Sequence, residues 1–134
     1  MKNIVETATA AGSFKNLVNA IKAAGLVDTL SGPGPFTVFA PNDAAFSKIP
    51  SRQLQDLLRD RKKLRSVLTY HVVNGRIASS DVSSLHSART VQGQEVPIDS
   101  SRGVMVGDAR VIQNDIRCSN GVIHVIDKVL MPSM

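Results

Sequence analysis

Gly34-Pro35-Phe36-Thr37-Val38-Phe39-Ala40-Pro41-Asn42-Asp43-Ala44-Ala45-Phe46 is the stretch that decides the fold. Phe36 to Phe39 is a short β-prone run. Pro41 stops it, because proline brings no amide to a ladder and restricts the residue before it. Asn42 is placed to cap a short helix that carries Ala45 and Phe46. Strand, tight turn and capped helix follow one another, with Phe36, Val38 and Phe46 available as anchors. Upstream, Ser31-Gly32-Pro33-Gly34-Pro35 suits neither helix nor central strand, so it is a loop. Its two prolines remove amides that a phosphate cradle needs, which makes it a rigid loop and not an anion site.

Working towards the N-terminus, Phe14, Leu17, Val18 and Ile21 recur at helical spacing. The spacing predicts a helix over residues 13–24, with Ser13 as N-cap and Gly25 just past its end. Leu26, Val27 and Leu30 predict one further helical turn. Working towards the C-terminus, residues 51–69 look like one helix until the register is followed. Continuing from Leu54, Leu57 and Leu58 puts Arg61 and Arg65 on the apolar face. Restarting near Asp60 gives a second stripe, Leu64, Val67 and Leu68, so two helices with a break around 59–61 are expected.

From Tyr70 the pattern changes. Tyr70-His71-Val72-Val73 is strand-like and Asn74-Gly75 is a turn signal. Ser79-Ser80-Asp81 can start a short helix. Short β-prone runs follow at 88–92, 95–98, 104–106 and 109–112, separated by Gly93, Gly103 and Gly107. Asn120-Gly121 turns the chain into Val122 to Leu130, which is apolar on both faces and therefore central in a sheet. Helices gather early and strands late, which is an α+β pattern without βαβ repetition.

The 134 residues (14.4 kDa) fit one domain spanning 1–134, with an ordinary 43% hydrophobic and 20% charged composition. That composition excludes a disordered chain, a collagen and a coiled coil. No apolar run approaches the ~20 residues of a membrane span. Met1-Lys2-Asn3 leads into Ile4-Val5-Glu6 without an apolar signal core, so the chain is expected to be cytosolic or the mature part of a longer product. No asparagine begins an Asn-x-Ser/Thr sequon, which for an exported protein points to a microbial source.

Enzyme signatures are missing: no Walker loop, no G-x-G-x-x-G, no G-x-S-x-G and no H-E-x-x-H. His71 and His124 sit in apolar runs and His86 in a polar loop, unpaired, so no metal and no cofactor are expected. Cys118 can form no internal disulfide; a Cys118–His124 nucleophile pair is conceivable, but nothing specifies it. Net charge is +5, and the excess is local: Arg59, Arg61, Lys62, Lys63 and Arg65 face one acid, Asp60, within seven residues. That patch is either a solvated helix face or a dock for nucleic acid or an acidic partner. With one Tyr, four Phe and no Trp there is little aromatic surface for base stacking, so no specific nucleic-acid binding is expected.

Three stretches resemble the fasciclin I-type domain. Residues 34–46, quoted above, resemble its N-terminal box. Asn120-Gly121-Val122-Ile123-His124-Val125-Ile126-Asp127-Lys128-Val129-Leu130-Met131-Pro132 resembles its C-terminal box, and Leu68-Thr69-Tyr70-His71-Val72-Val73 its central Tyr-His motif. Order and spacing match over essentially the whole chain. The resemblance implies an α+β domain with a helical layer on a wedge-shaped β-sandwich. It implies adhesion without catalysis, as a secreted or cell-surface module binding surface or matrix protein or polysaccharide. Adequate core size and the lack of metal-ligand clusters predict a cofactor-free monomer. In animal relatives integrin binding is attributed to an Asp-Ile pair and to the Tyr-His region; the matching positions are Asp115, Ile116, Tyr70 and His71. The alternative is an intracellular binding protein whose basic helix 59–65 docks nucleic acid or an acidic partner.

Overall fold

The computed structural model describes residues 2–78, 81, 85–101, 103–107 and 109–130, the side chain of Asn114 excepted. The helix expected from Ser79-Ser80-Asp81 and the end of the C-terminal box at Met131-Pro132 lie outside these residues, Asp81 apart. The chain is α+β.

Asn3 opens α1 (Ile4–Ala11) with a capping box: its side chain accepts from the Glu6 amide, and the Glu6 carboxylate accepts from the Asn3 amide. α2 (Lys15–Ala24) ends at Gly25, whose φ of 72° is the left-handed cap expected of it. Its start differs from expectation. Ser13 does not cap it; Phe14 is the N-cap residue and offers no side-chain bond. The cap comes from elsewhere, because the Asp43 carboxylate accepts from the Asn16 amide at 2.9 Å. Asp43 in turn donates its own amide to the Ser13 carbonyl at 2.8 Å.

α3 (Val27–Ser31) is the short turn around Leu30, and β1 (Phe36–Pro41) runs into α4 (Asp43–Ser47), capped by Asn42 onto the Ala45 amide. α5 (Ser51–Arg59) and α6 (Arg61–Thr69) are separate helices, broken at Asp60, whose carboxylate caps α6 on the Lys63 amide. One part of the expected α5 stripe fails. Leu57 is buried, but Leu58 is 42% exposed, because α5 lies at the rim of the layer and packs chiefly on α6.

Among the described residues seven strands follow the order β2-β1-β7-β6-β5-β4-β3. They are β2 (Val72–Asn74), β3 (Ser87–Arg89), β4 (Glu95–Asp99), β5 (Met105–Val106), β6 (Ala109–Cys118) and β7 (Gly121–Ile126), with β1. β1 and β7 are parallel neighbours, while β6 and β7 form an antiparallel hairpin. The two ends of this order meet. Val73 bridges Thr90, and the Val91 amide donates to the Val72 carbonyl at 2.7 Å, which folds the sheet back on itself.

β7 is buried at every position and lies in the middle of the sheet, as its two-sided apolar pattern requires, but it ends at Ile126 and not at the expected Leu130. One face meets the helices: Val38, Ala40, Ile123 and Val125 pack with Leu17, Ile21, Leu64 and Val67. The opposite face forms a second core of Phe39, Tyr70, Val73, Val96, Val106, Ile126 and Leu130. The expected run at 109–112 is longer than the sequence indicates. β6 continues to Cys118 through register shifts at Val111/Gln113 and Gln113/Ile116.

Candidate functional site

The Tyr-His pair sits at the joint between helix and sheet. Tyr70 is the C-cap of α6 in a helical conformation, so strand alternation begins only at Val72. The strand-like reading of Tyr70-His71-Val72-Val73 is thereby corrected for its first two residues. Tyr70 joins the second core with Val73, while Val72 faces the helices. Tyr70 is 8% exposed and His71 1%.

Both nitrogens of His71 are engaged by backbone. Nδ1–H donates to the Val67 carbonyl at 2.7 Å, and Nε2 accepts from the Leu130 amide at 2.8 Å. These partners fix a neutral ring protonated on Nδ1. Burial lowers its pKa from the ordinary 6.5 to about 4, against an upward pull from the Val67 carbonyl.

His124 on β7 is the mirror case. Nε2–H donates to the Ile77 carbonyl at 2.7 Å, and Nδ1 accepts from the Asp115 amide at 3.2 Å. Its ring stacks on Phe39 with centroids 5.7 Å apart. The conceivable Cys118–His124 pair does not form. Cys118 faces the helical core and contacts the Ile116 carbonyl through Sγ, while His124 lies against Phe39 on the opposite face. Burial raises the Cys118 thiol pKa, which makes it a poor nucleophile.

Asp115 occupies the bulge of β6 with φ of 58°, a left-handed conformation that turns its amide onto His124. Ile116 returns the strand to register opposite Ile123 and is partly buried against the helical core. Val72, Val38, Ile123 and Ile116 form one row across β2, β1, β7 and β6. The Tyr-His and Asp-Ile pairs are thus separated by two strands, about 14 Å across the sheet. They do not converge on one surface. They are joined inside, because the Phe39 amide donates to the His71 carbonyl and Phe39 stacks on His124, which holds Asp115.

A residue that the sequence offered only as half of a turn proves central. The Asn120 side chain is buried. It accepts from the Ile4 amide at 3.0 Å and donates to the carbonyls of Leu30 and Gly32 at 2.7 and 2.8 Å. Its own carbonyl accepts from the Phe36 amide. The signal that could have revealed this is the Asn-Gly pair itself: Gly121 has no room for a Cβ, which would overlap the Phe36 carbonyl.

The basic residues Arg59, Arg61, Lys62, Lys63 and Arg65 are all exposed, at the end of α5 and along α6. Arg61 reaches back to the end of α2, where a Cβ added at Gly25 would lie 2.6 Å from its guanidinium. A shallow cleft of about 260 Å³ between α1 and α2 is lined by Ala8, Phe14, Val18 and one titratable group, Lys15. Among the described residues no group of three His, Cys, Asp or Glu side chains is placed to hold a metal, and no helix is long and apolar enough to cross a membrane.

This architecture has known counterparts. The fasciclin domain model matches residues 12–132, so the chain belongs to the fasciclin domain family. It is 46% identical over 131 residues to protein sll1735 of Synechocystis, covering 98% of both chains. It is 41% identical over 108 residues to the cell surface glycolipoprotein MPB83 of Mycobacterium bovis, covering 80% of this chain and 48% of that protein. Its fold matches the FAS1 domain pair of the insect cell adhesion molecule fasciclin I, with TM-score 0.75 and 18% identity over 98% of this chain and 51% of that one. Family members thus include surface and adhesion proteins.

Proposed function

We propose that the chain is a non-catalytic adhesion module that acts as a monomer at the cell surface or outside the cell. Its partners are surface or matrix components, protein or polysaccharide. The observation that carries this reading is its membership of the fasciclin domain family, together with its 41% identity to a protein named for the cell surface. The interior supports it. Both ring nitrogens of His71 and of His124 are taken up by backbone partners, which leaves neither ring free to shuttle protons. Function then falls to the outer surface. In this reading Tyr70, His71, Asp115 and Ile116 influence binding by holding the fold, since the first two are buried and the last two tie the β6 bulge to β7.

Beads carrying the folded chain test it against intact microbial cells and their extracted extracellular polymer. Retention should exceed that of beads bearing an unrelated domain of the same net charge. Retention equal to that control overturns the reading.

A further inference from the structure

We propose that the exposed basic surface of α6, centred on Lys62 and flanked by Arg59, Lys63 and Arg65, docks a polyanionic polysaccharide. The biological setting rests on the adhesion reading above; the binding chemistry does not.

Placement is the first observation. Of a net charge of +5, the segment 59–65 carries +4. α6 turns Leu64, Val67 and Leu68 inward, and at 100° per residue Lys62 lies opposite that buried arc. Arg65 and Lys63 flank it. Asp60, the one acid of the segment, directs its carboxylate to the Lys63 amide as a helix cap.

The second observation is that the arrangement works against the helix. Cations favour a helix C-terminus, where the macrodipole is negative. α6 does the reverse: Arg61, Lys62 and Lys63 fill its first turn, and no base occupies its last. Arg61 and Arg65 also form a like-charge pair at i,i+4. A helix face that served only solvation gains nothing from this order. An incoming anion meets Arg59, Lys62, Lys63 and Arg65, all exposed, with Asp60 already engaged as the helix cap.

The adhesion reading, which sets the module among surface polymers, and the aromatics together narrow the class of polyanion. Phe14, Phe39, Phe46 and Tyr70 are buried and Phe36 is half-buried, so the chain offers no exposed ring on which a base can stack. Carboxylated and sulfated sugars need only charge and hydrogen bonds, which these side chains supply.

Alginate and dextran sulfate are the probes, with neutral dextran and a short DNA duplex for comparison, titrated at several salt concentrations. The wild type should bind alginate or dextran sulfate with a steep salt dependence and ignore dextran. Lys62→Gln/Lys63→Gln should weaken that binding roughly tenfold. Lys2→Gln/Lys15→Gln removes the same charge away from the patch, Lys15 being about 15 Å along α2 from the end that Arg61 touches. It should change binding less than twofold. Equal losses in both variants reduce the effect to net charge and overturn the site. DNA bound as tightly as alginate overturns the polysaccharide assignment in favour of nucleic acid. Normal cell adhesion by the Lys62/Lys63 variant, with its alginate binding intact, removes the patch and leaves the adhesion reading standing.

Discussion

The Leu130 amide donates to Nε2 of His71 at 2.8 Å across 59 residues of sequence. That bond ties the segment after β7 to the joint between α6 and β2. The His71 carbonyl accepts from Phe39 on β1, so one residue links all three sequence motifs. Nothing else at this position offers a donor, an acceptor and a flat apolar body of the same shape.

Removing the ring should therefore be costly. His71→Ala strands the Leu130 amide and the Val67 carbonyl, at about 1–3 kcal/mol for each unsatisfied group, and leaves a cavity as well. A loss of roughly 3 kcal/mol or more is expected in urea unfolding. Adhesion should fall only in proportion to the unfolded fraction. Unchanged stability with adhesion abolished would make His71 a contact residue and sink the structural role.

The same ring should make the protein acid-sensitive. Its pKa is about 4 when folded, against an ordinary 6.5. Between those values the unfolded state binds the proton and the folded state does not. The stability it contributes is complete above pH 6.5 and is lost as pH falls towards 4, a change of about 3 kcal/mol. Unfolding free energies of wild type and His71→Gln, measured from pH 7 to pH 4.5, should converge as pH falls. Parallel curves would show that the ring does not titrate in this window.

Asn120 gives a test that separates its two ends. Asn120→Ala leaves one amide and two carbonyls unpartnered, and a loss of at least about 3 kcal/mol is expected. Asn120→Asp keeps the acceptor for Ile4 but turns a carboxylate onto the carbonyls of Leu30 and Gly32. It should be worse than Ala at pH 7 and should recover relative to Ala near pH 4.5, where the protonated acid can donate once. An Asp variant as stable as wild type at pH 7 would show that the two donated bonds contribute little.

Local patterns were legible and long-range partnerships were not. The break at Asp60, the Asn42 cap, the Gly25 terminus and the burial of β7 all follow from spacing within a few residues. α1 escaped because Ile4, Val5 and Ala8 make a short, weak stripe, although the capping pair Asn3 and Glu6 was there to be read. β6 was cut short because Asn114-Asp115 resembles a turn; in the fold, pairing with β7 carries the strand through as a bulge. Ser13 was a reasonable cap by type, but tertiary structure brought Asp43 to the same amide. At the candidate site, the basic patch was visible from charge alone. The engagement of Tyr70, His71 and Asp115 was not, because each depends on a partner many residues away.

Asp43 is accordingly a cap whose loss should be felt in a helix it does not belong to. Asp43→Ala removes the bond to the Asn16 amide at the start of α2 and an acid from the first turn of α4. A loss of about 1 kcal/mol is expected, near that of ordinary N-cap removal. Hydrogen exchange should locate it: the first amides of α2 should exchange faster, together with those of α4. A change confined to α4 would show that the contact between the helices carries no stability.

The basic patch should cost the fold stability, and reversing it should make that visible. Lys62 and Lys63 stand in the first turn of α6, where the macrodipole favours acids. Both are exposed, so replacing them leaves no buried group without a partner. Lys62→Glu/Lys63→Glu puts negative charge beside the helix N-terminus and beside Arg59, Arg61 and Arg65. A gain of about 0.5–1 kcal/mol is expected at low salt, or roughly 2–4 °C in melting temperature for a domain of this size. The gain should shrink in high salt, as screening requires. Alginate binding should disappear in the same variant. A protein that becomes less stable would mean that these lysines hold structure, and the charge pattern would then need no ligand to explain it.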